Sequence, residues 1–94
     1  LTDDLWKKNA AHSNQMAKIL EQELRQVNEI RITQPVDANV VFAILPRSWI
    51  PPLQEQAFFY VWNERINEVR LMCSWDTTEQ QIKGFAKKIK ALLP

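Results

Sequence analysis

The sequence predicts an α+β domain in which helices pack against a small antiparallel or mixed sheet, with the elements in the order αββαββα. Three observations predict this fold. Both ends of the chain carry apolar residues at helical spacing, the middle carries short runs rich in β-branched residues, and prolines or turn residues separate these runs. No internal repeat or linker interrupts the order, so we expect residues 1–94 to form a single domain.

The first element is a long amphipathic helix that we expect over residues 3–27. Thr2 is the expected N-cap, and two aspartates follow it where the helix dipole favours negative charge. The apolar side of this helix carries Leu5, Trp6, Met16, Ile19, Leu20, Leu24 and Val27. Asn9, His12 and Ser13 interrupt that side, so we expect this half of the helix to face something other than an apolar core.

Two strands and a short helix follow the first helix. The runs EIRITQP and ANVVFAILP each end in a proline, and they predict strands near residues 29–33 and 39–45. In the segment RSWIPPLQEQ, Ser48 is the expected cap and the two prolines suit the first helical turn. We therefore expect a short helix that ends near Gln56.

A strand pair and a final helix complete the chain. The runs AFFYVW and EVRLMCSW flank the turn NERIN, which predicts a hairpin. Asp76 or Thr77 is the expected cap of the final helix. Its apolar face carries Ile82, Phe85, Ala86, Ile89, Leu92 and Leu93, and lysines occupy the rest of its surface.

Arg70 is the one basic residue in the apolar predicted strand EVRLMCSW. Alternation along this strand directs one set of side chains to the same face: Val69, Leu71, Cys73 and Trp75. Arg70 points to the opposite face with Met72 and Ser74. A guanidinium can form two parallel hydrogen bonds with a carboxylate, so Arg70 is the candidate anion-binding residue. The alternative is an ordinary ion pair with Glu64 or Glu68.

Composition argues against several classes of protein. The chain of 94 residues has 12 basic and 11 acidic side chains, a net charge of +1, and this gives no electrostatic footprint for nucleic acid. No apolar run reaches the length of about 18 residues that a membrane span needs. Cys73 is the only cysteine, so no internal disulfide can form, and we expect a reducing, cytoplasmic location.

We expect no catalytic residue, no cofactor-binding residue and no metal ligand within these residues. One histidine and one cysteine cannot supply the three or four ligands of a zinc site. The single glycine, Gly84, lies inside the final helix, so no glycine-rich phosphate cradle exists. The lysines lie on solvated polar faces, so none is expected to bond a cofactor covalently. His12 and Cys73 are expected to be packed structural residues.

Several segments resemble one enzyme family. The run FFYVWNERINEVRLMCSWDTTEQQI closely resembles the C-terminal segment of the low-specificity L-threonine aldolases, β-eliminating lyases of the fold type I pyridoxal-phosphate group. LWKKNAAHSNQMAKIL resembles the helix that leads into their small domain, and PVDANVVFAILP resembles the strand that follows. The resemblance covers essentially the whole chain. It implies that residues 1–94 are the C-terminal small domain of a longer enzyme whose large domain is absent.

The resemblance also implies a reaction. Threonine aldolases reversibly cleave β-hydroxy-α-amino acids such as threonine into glycine and an aldehyde, with pyridoxal 5'-phosphate as cofactor. Arg70 matches the arginine of this family that binds the substrate carboxylate. The lysine that bonds the cofactor and the other cofactor-binding residues belong to the large domain, so the 94 residues alone are expected to be inactive. The full-length enzyme is expected to be a homo-oligomer.

The absent large domain would cover part of this domain. Two regions are therefore expected to be exposed: the strand face with Arg70, Met72 and Ser74, and the helix segment with Asn9, His12 and Ser13. Two alternatives remain open. The chain could be the small domain of another fold type I enzyme, a β-eliminating lyase or an aminotransferase-like enzyme, or it could be a non-catalytic amino-acid-binding module.

Overall fold

The computed structural model describes residues 2–36, 38–57 and 59–93, apart from the side chains of residues 2–6 and 56. Its elements are α1 (Thr2–Arg25), β1 (Arg31–Ile32), β2 (Val40–Ile44), a 3-10 turn (Arg47–Trp49), α2 (Ile50–Gln56), β3 (Tyr60–Asn63), β4 (Glu68–Met72) and α3 (Glu79–Ala91). The four strands pair antiparallel in the order β1-β2-β4-β3. The predicted α+β class and element order are confirmed, and the described sheet is antiparallel.

The helices cover one face of the sheet. Alternate residues of the two inner strands are buried on that face: Val41 and Ala43 on β2, and Val69 and Leu71 on β4. α1 contacts β1, β2 and α3, and α2 contacts α3. The opposite face carries Phe42, Tyr60, Trp62, Glu68, Arg70 and Met72, and we call it the open face. Burial of the apolar set on one side only is what drives this two-layer arrangement.

The polar interruption in α1 is only partly as expected. Asn9 and His12 are half-buried, but Ser13 is buried, so the prediction that it would be exposed is wrong. The Ser13 hydroxyl donates a hydrogen bond to the carbonyl oxygen of Asn9 at 2.9 Å, and this bond lets a small polar side chain enter the interior. The helix itself ends at Arg25, two residues earlier than predicted. α1 begins at Thr2, one residue earlier than predicted, and the side chains of residues 2–6, including that of the predicted cap, lie outside the described part of the chain.

The first two strands and α2 have narrower bounds than predicted. β1 contains only two residues, whereas β2 falls within the predicted range. Ser48 does not cap α2, because the chain enters this helix through the 3-10 turn and Trp49 takes the N-cap position without a side-chain hydrogen bond. Pro51 and Pro52 have no backbone N–H group, so few donors in the first turn need a cap. α2 ends at Gln56 as predicted.

β3 and β4 form the predicted hairpin, with one irregularity. Val61 pairs with Val69 but Asn63 pairs with Glu68, so Trp62 is the extra residue of a β-bulge. The turn covers residues 64–67, and its last residue, Asn67, has a φ of 59°. Asparagine tolerates this left-handed conformation better than most residues other than glycine.

β4 ends at Met72, three residues earlier than the predicted run. Pairing continues for one more residue, because the Cys73 amide donates to the carbonyl oxygen of Asn39 and the Asn39 side-chain amide donates to that of Cys73, both at 2.8 Å. The chain then turns, with the Ser74 amide donating to the Thr77 hydroxyl at 2.8 Å. Trp75 therefore does not share the buried face with Cys73 and is exposed, which corrects the prediction for this residue.

Thr78 caps α3, so the prediction of Asp76 or Thr77 is wrong. The Thr78 hydroxyl accepts from the Gln81 amide at 3.1 Å, and the Gln81 side-chain oxygen accepts from the Thr78 amide at 3.1 Å. This pair is a capping box. The Thr77 hydroxyl is occupied by the preceding turn, which is why the cap falls one residue later.

Replacing Thr78 with alanine is expected to lower the free energy of unfolding by about 1 kcal/mol, because the helix loses its side-chain acceptor. Urea denaturation followed by circular dichroism measures the change. The control is Thr78→Ser, which keeps the hydroxyl and should lose much less. Equal losses for serine and alanine would show that the hydroxyl does not act as a cap.

Candidate functional site

Arg70 lies at the centre of the open face. β4 is an inner strand, and Arg70 pairs with Phe42 on β2 and with Tyr60 on β3. Its neighbours Val69 and Leu71 are buried in the core, while Arg70 itself is half-buried on the other face. The predicted direction of this side chain is confirmed.

Trp62 supports the guanidinium of Arg70. The Cζ atom of Arg70 lies over the Trp62 ring, 5.9 Å from its centroid, which is within the range of a cation–π interaction. The same ring packs against Phe42, with the two centroids 5.5 Å apart and the rings at 70°. Trp62 therefore bridges three strands, and its contact limits the positions that the guanidinium can take.

No carboxylate pairs with Arg70 among the described residues. The two ion pairs in this part of the chain lie within α1 and within α3. Glu68 is on the same face as Arg70, but its carboxylate accepts a hydrogen bond from the Thr33 hydroxyl at 2.5 Å. Glu64 is exposed in the hairpin turn. The alternative prediction, an ion pair of Arg70 with Glu64 or Glu68, is therefore wrong.

The open face exposes large apolar side chains around Arg70. Tyr60 is 58% exposed, Trp62 59% and Met72 52%. Ser74, beyond the end of the strand, is exposed as well. The predicted exposure of the Met72 and Ser74 positions is confirmed. Clusters of exposed apolar residues beside one cation commonly mark binding or contact surfaces.

His12 links two segments of the chain, and Cys73 is buried. The His12 Nε2 atom lies 2.5 Å from the carbonyl oxygen of Thr77, a contact in which the ring N–H donates and which joins α1 to the segment before α3. Burial removes water from the Cys73 thiol and raises its pKa from 9.0 to about 11. The thiol is therefore protonated near neutral pH and is a poor nucleophile.

The lysines and acidic residues that the structure describes form no second candidate site. Every lysine is exposed except Lys88, which is half-buried. Within residues 2–36, 38–57 and 59–93, no group of three histidine, cysteine or acidic residues is placed to hold a metal ion.

No described helix is both long and apolar enough to cross a membrane.

A cavity on the helix side of the sheet does not include Arg70. It has a volume of about 570 Å³ and lies between α1, the end of β4 and the start of α3. Its lining includes Leu20, Leu71, Cys73, Gln81 and Phe85, and no charged side chain. The cavity is thus mainly on the helix side of the sheet, and the candidate site is the open face.

Sequence reasoning missed Trp62 and Thr33 as parts of this site. A signal for Trp62 was available, because Tyr60 and Trp62 have the same parity in the strand that pairs with β4. Thr33 and Glu68 are 35 residues apart, and no local pattern indicates their contact.

The arrangement of helices and strands is shared with larger enzymes of known structure. One is a tryptophan decarboxylase from Catharanthus roseus in complex with L-tryptophan, of which one part has this α+β fold. The two structures superpose with a TM-score of 0.75 over 88% of this chain and 21% of that chain, at 17% sequence identity. This similarity shows the shared fold alone.

Threonine aldolases are similar in both structure and sequence. The threonine aldolase of Leishmania major superposes with a TM-score of 0.77 at 33% identity, over 87% of this chain and 25% of that chain. Low-specificity L-threonine aldolases from a Pseudomonas species and from Pseudomonas aeruginosa are 29% identical over 93 residues and 33% identical over 96 residues, and each match covers 99% of this chain. The predicted resemblance to the low-specificity L-threonine aldolases is confirmed. The chain spans 27% of the length of these two relatives, and no family model matches it.

Proposed function

We propose that the 94 residues are the C-terminal small domain of a pyridoxal-phosphate-dependent lyase of the threonine aldolase type, and that Arg70 binds the substrate carboxylate. The similarity to threonine aldolases over nearly the whole chain supports the first part. One observation carries the second. The guanidinium of Arg70 is held over Trp62 on an open face and has no carboxylate partner among the described residues.

The chemistry of Arg70 suits an amino acid substrate. The guanidinium presents N–H donors in a fixed fork that matches the two oxygens of a carboxylate. Trp62 occupies one side of the group and reduces its rotational freedom before the ligand arrives, which lowers the entropic cost of binding. All α-amino acids carry the same carboxylate, so Arg70 would orient every substrate rather than select among them.

Pyridoxal phosphate does not fit the residues of this chain alone. The lysines are solvated, and the one glycine lies within α3, so neither a cofactor-bonding amine nor a glycine-rich phosphate cradle is formed by the described residues. The remainder of the longer enzyme would hold the cofactor, which supplies an electron sink when bound. The exposed apolar residues of the open face are suited to lie against that remainder.

The proposed substrates are β-hydroxy-α-amino acids such as threonine, and the products are glycine and an aldehyde. We also propose that the full-length enzyme is a homo-oligomer located in the cytoplasm. The single buried cysteine is consistent with a reducing compartment.

The test is an assay of the full-length enzyme that contains these residues. With L-threonine, we expect equal amounts of glycine and acetaldehyde. Release of carbon dioxide, or transfer of the amino group to a keto acid, would instead identify another fold type I enzyme. Binding of amino acids without any turnover would favour a sensing module.

The isolated 94-residue chain is expected to form no specific covalent adduct with pyridoxal phosphate, because its lysines are exposed or half-buried and none lies in a desolvated pocket. Borohydride reduction followed by peptide mass spectrometry measures this. The control is the full-length enzyme, which should be labelled at one lysine outside these residues. A stoichiometric adduct at one particular lysine of the 94-residue chain would contradict the prediction.

A further inference from the structure

We propose that Thr33 is a positioning residue that holds the Glu68 carboxylate away from Arg70, so that the Arg70 guanidinium stays available to a substrate carboxylate. The proposal rests on the function proposed above for Arg70. It assigns a role to the one hydrogen bond that connects the segment after β1 with the side chain of an inner-strand carboxylate on the open face.

The sequence alone would pair Glu68 with Arg70. Both residues lie on β4, two positions apart, so their side chains leave the same face of the sheet about 6.5–7 Å from each other. Side chains of opposite charge at this spacing are long enough to meet. If the Glu68 carboxylate paired with Arg70, it would occupy the N–H donors that the substrate carboxylate needs.

The observed side chains point in opposite directions across the sheet. Glu68 is only 7% exposed, and its Oε2 atom accepts from the Thr33 hydroxyl at 2.5 Å. Thr33 follows β1 and is fixed beside β2 by its amide, which donates to the carbonyl oxygen of Phe42 at 3.0 Å. Since the strand order is β1-β2-β4-β3, Glu68 extends towards the β1 side and Arg70 extends over Trp62 on the β3 side.

The hydrogen bond from the Thr33 hydroxyl can keep the Glu68 carboxylate in place despite its electrostatic attraction to Arg70. A hydroxyl that donates to an ionised carboxylate forms a short, charge-assisted bond. Arg31 is in register with Ile44, the residue that pairs with Glu68, but it is exposed and forms no ion pair with Glu68. Thr33 is therefore the partner that determines the direction of Glu68.

The first test uses steady-state kinetics on the full-length enzyme. Thr33→Val removes the hydroxyl and keeps the shape of the side chain, so Glu68 is released to pair with Arg70. We expect the KM for threonine to rise about three- to ten-fold, with a smaller change in kcat, because a partly exposed ion pair competes with the substrate. Thr33→Ser keeps the hydroxyl and is expected to keep KM near its original value.

The decisive variant is the double substitution Thr33→Val with Glu68→Gln. A neutral amide does not compete for the guanidinium, so KM should return close to that of the unmodified enzyme. If the role of Thr33 is purely structural, no such rescue is expected. Thr33→Val has already removed the hydrogen bond to Glu68, and Glu68→Gln can then only add a further structural loss.

A second readout does not depend on turnover. Phenylglyoxal modifies free guanidinium groups, and the rate of modification at Arg70 can be followed by peptide mass spectrometry. We expect Thr33→Val to slow this modification and the added Glu68→Gln to restore it, with the exposed Arg65 as the internal reference.

The outcomes separate this proposal from the proposed function. If Thr33→Val changes neither KM nor the labelling of Arg70, or if Glu68→Gln fails to rescue, the positioning role is overturned. If Thr33→Val slows labelling with rescue but Arg70→Ala leaves KM unchanged, Thr33 does position Glu68 and the carboxylate-binding role of Arg70 is wrong.

Discussion

Replacing Arg70 with alanine in the full-length enzyme is expected to lower kcat/KM at least about ten-fold. A hydrogen bond to a charged group in a partly closed site contributes about 1.5–3 kcal/mol, and about 1.4 kcal/mol corresponds to a ten-fold change. Arg70→Lys keeps the charge but loses the two-pronged geometry, so its loss should be smaller. Steady-state kinetics with threonine measures both variants.

Two controls distinguish a role of Arg70 in substrate binding from a structural role. Arg65 is exposed in the hairpin turn, and Arg65→Ala removes the same charge without touching the open face, so kcat/KM should be unchanged. The loss in Arg70→Ala should be similar for every β-hydroxy-α-amino acid, and binding of pyridoxal phosphate should be normal. A defect limited to one substrate, or no defect, would leave Arg70 as a structural surface residue.

Replacing Ile89 with alanine is expected to lower the free energy of unfolding by about 2–5 kcal/mol, the largest stability change predicted for this chain. Ile89 is 0% exposed in α3 and belongs to the central hydrophobic cluster. Truncation removes buried methylene groups and leaves a cavity that the surrounding side chains fill only in part. Urea denaturation of the 94-residue chain measures the loss.

The matched control for Ile89 is Ile66, which is 42% exposed in the turn between β3 and β4. The same isoleucine-to-alanine change at this position removes little buried surface and should alter stability by well under about 1 kcal/mol. Comparable losses at the two positions would mean that α3 does not anchor the core in the way the structure shows.

Apolar patterning was enough to predict the elements but not their ends. The helix α3 and the hairpin around NERIN could be predicted because each depends on residues that are close together in the sequence. The cap of α3 was not, because Thr77 with Gln80 and Thr78 with Gln81 both fit the spacing of a capping box. Only the turn that uses the Thr77 hydroxyl decides between them.

The site was predictable where it follows strand alternation. Arg70 could be assigned to the face opposite Val69 and Leu71 because side-chain direction in a strand has a period of two. The bond between Thr33 and Glu68 could not be predicted, since it depends on the order of strands in the sheet and not on local spacing. The alternative ion pair of Arg70 with Glu68 looked reasonable for the same reason.

The position of Arg70 on an inner strand limits how this residue can move. Its backbone is paired on both sides, with Phe42 and with Tyr60, so a local shift of Arg70 would break two ladders at once. Inner strands of this kind open only together with much of the domain. A movement of the Arg70 backbone towards a ligand held elsewhere in the enzyme would therefore carry the whole sheet with it, and force applied to a bound carboxylate would be transmitted through both ladders to the domain.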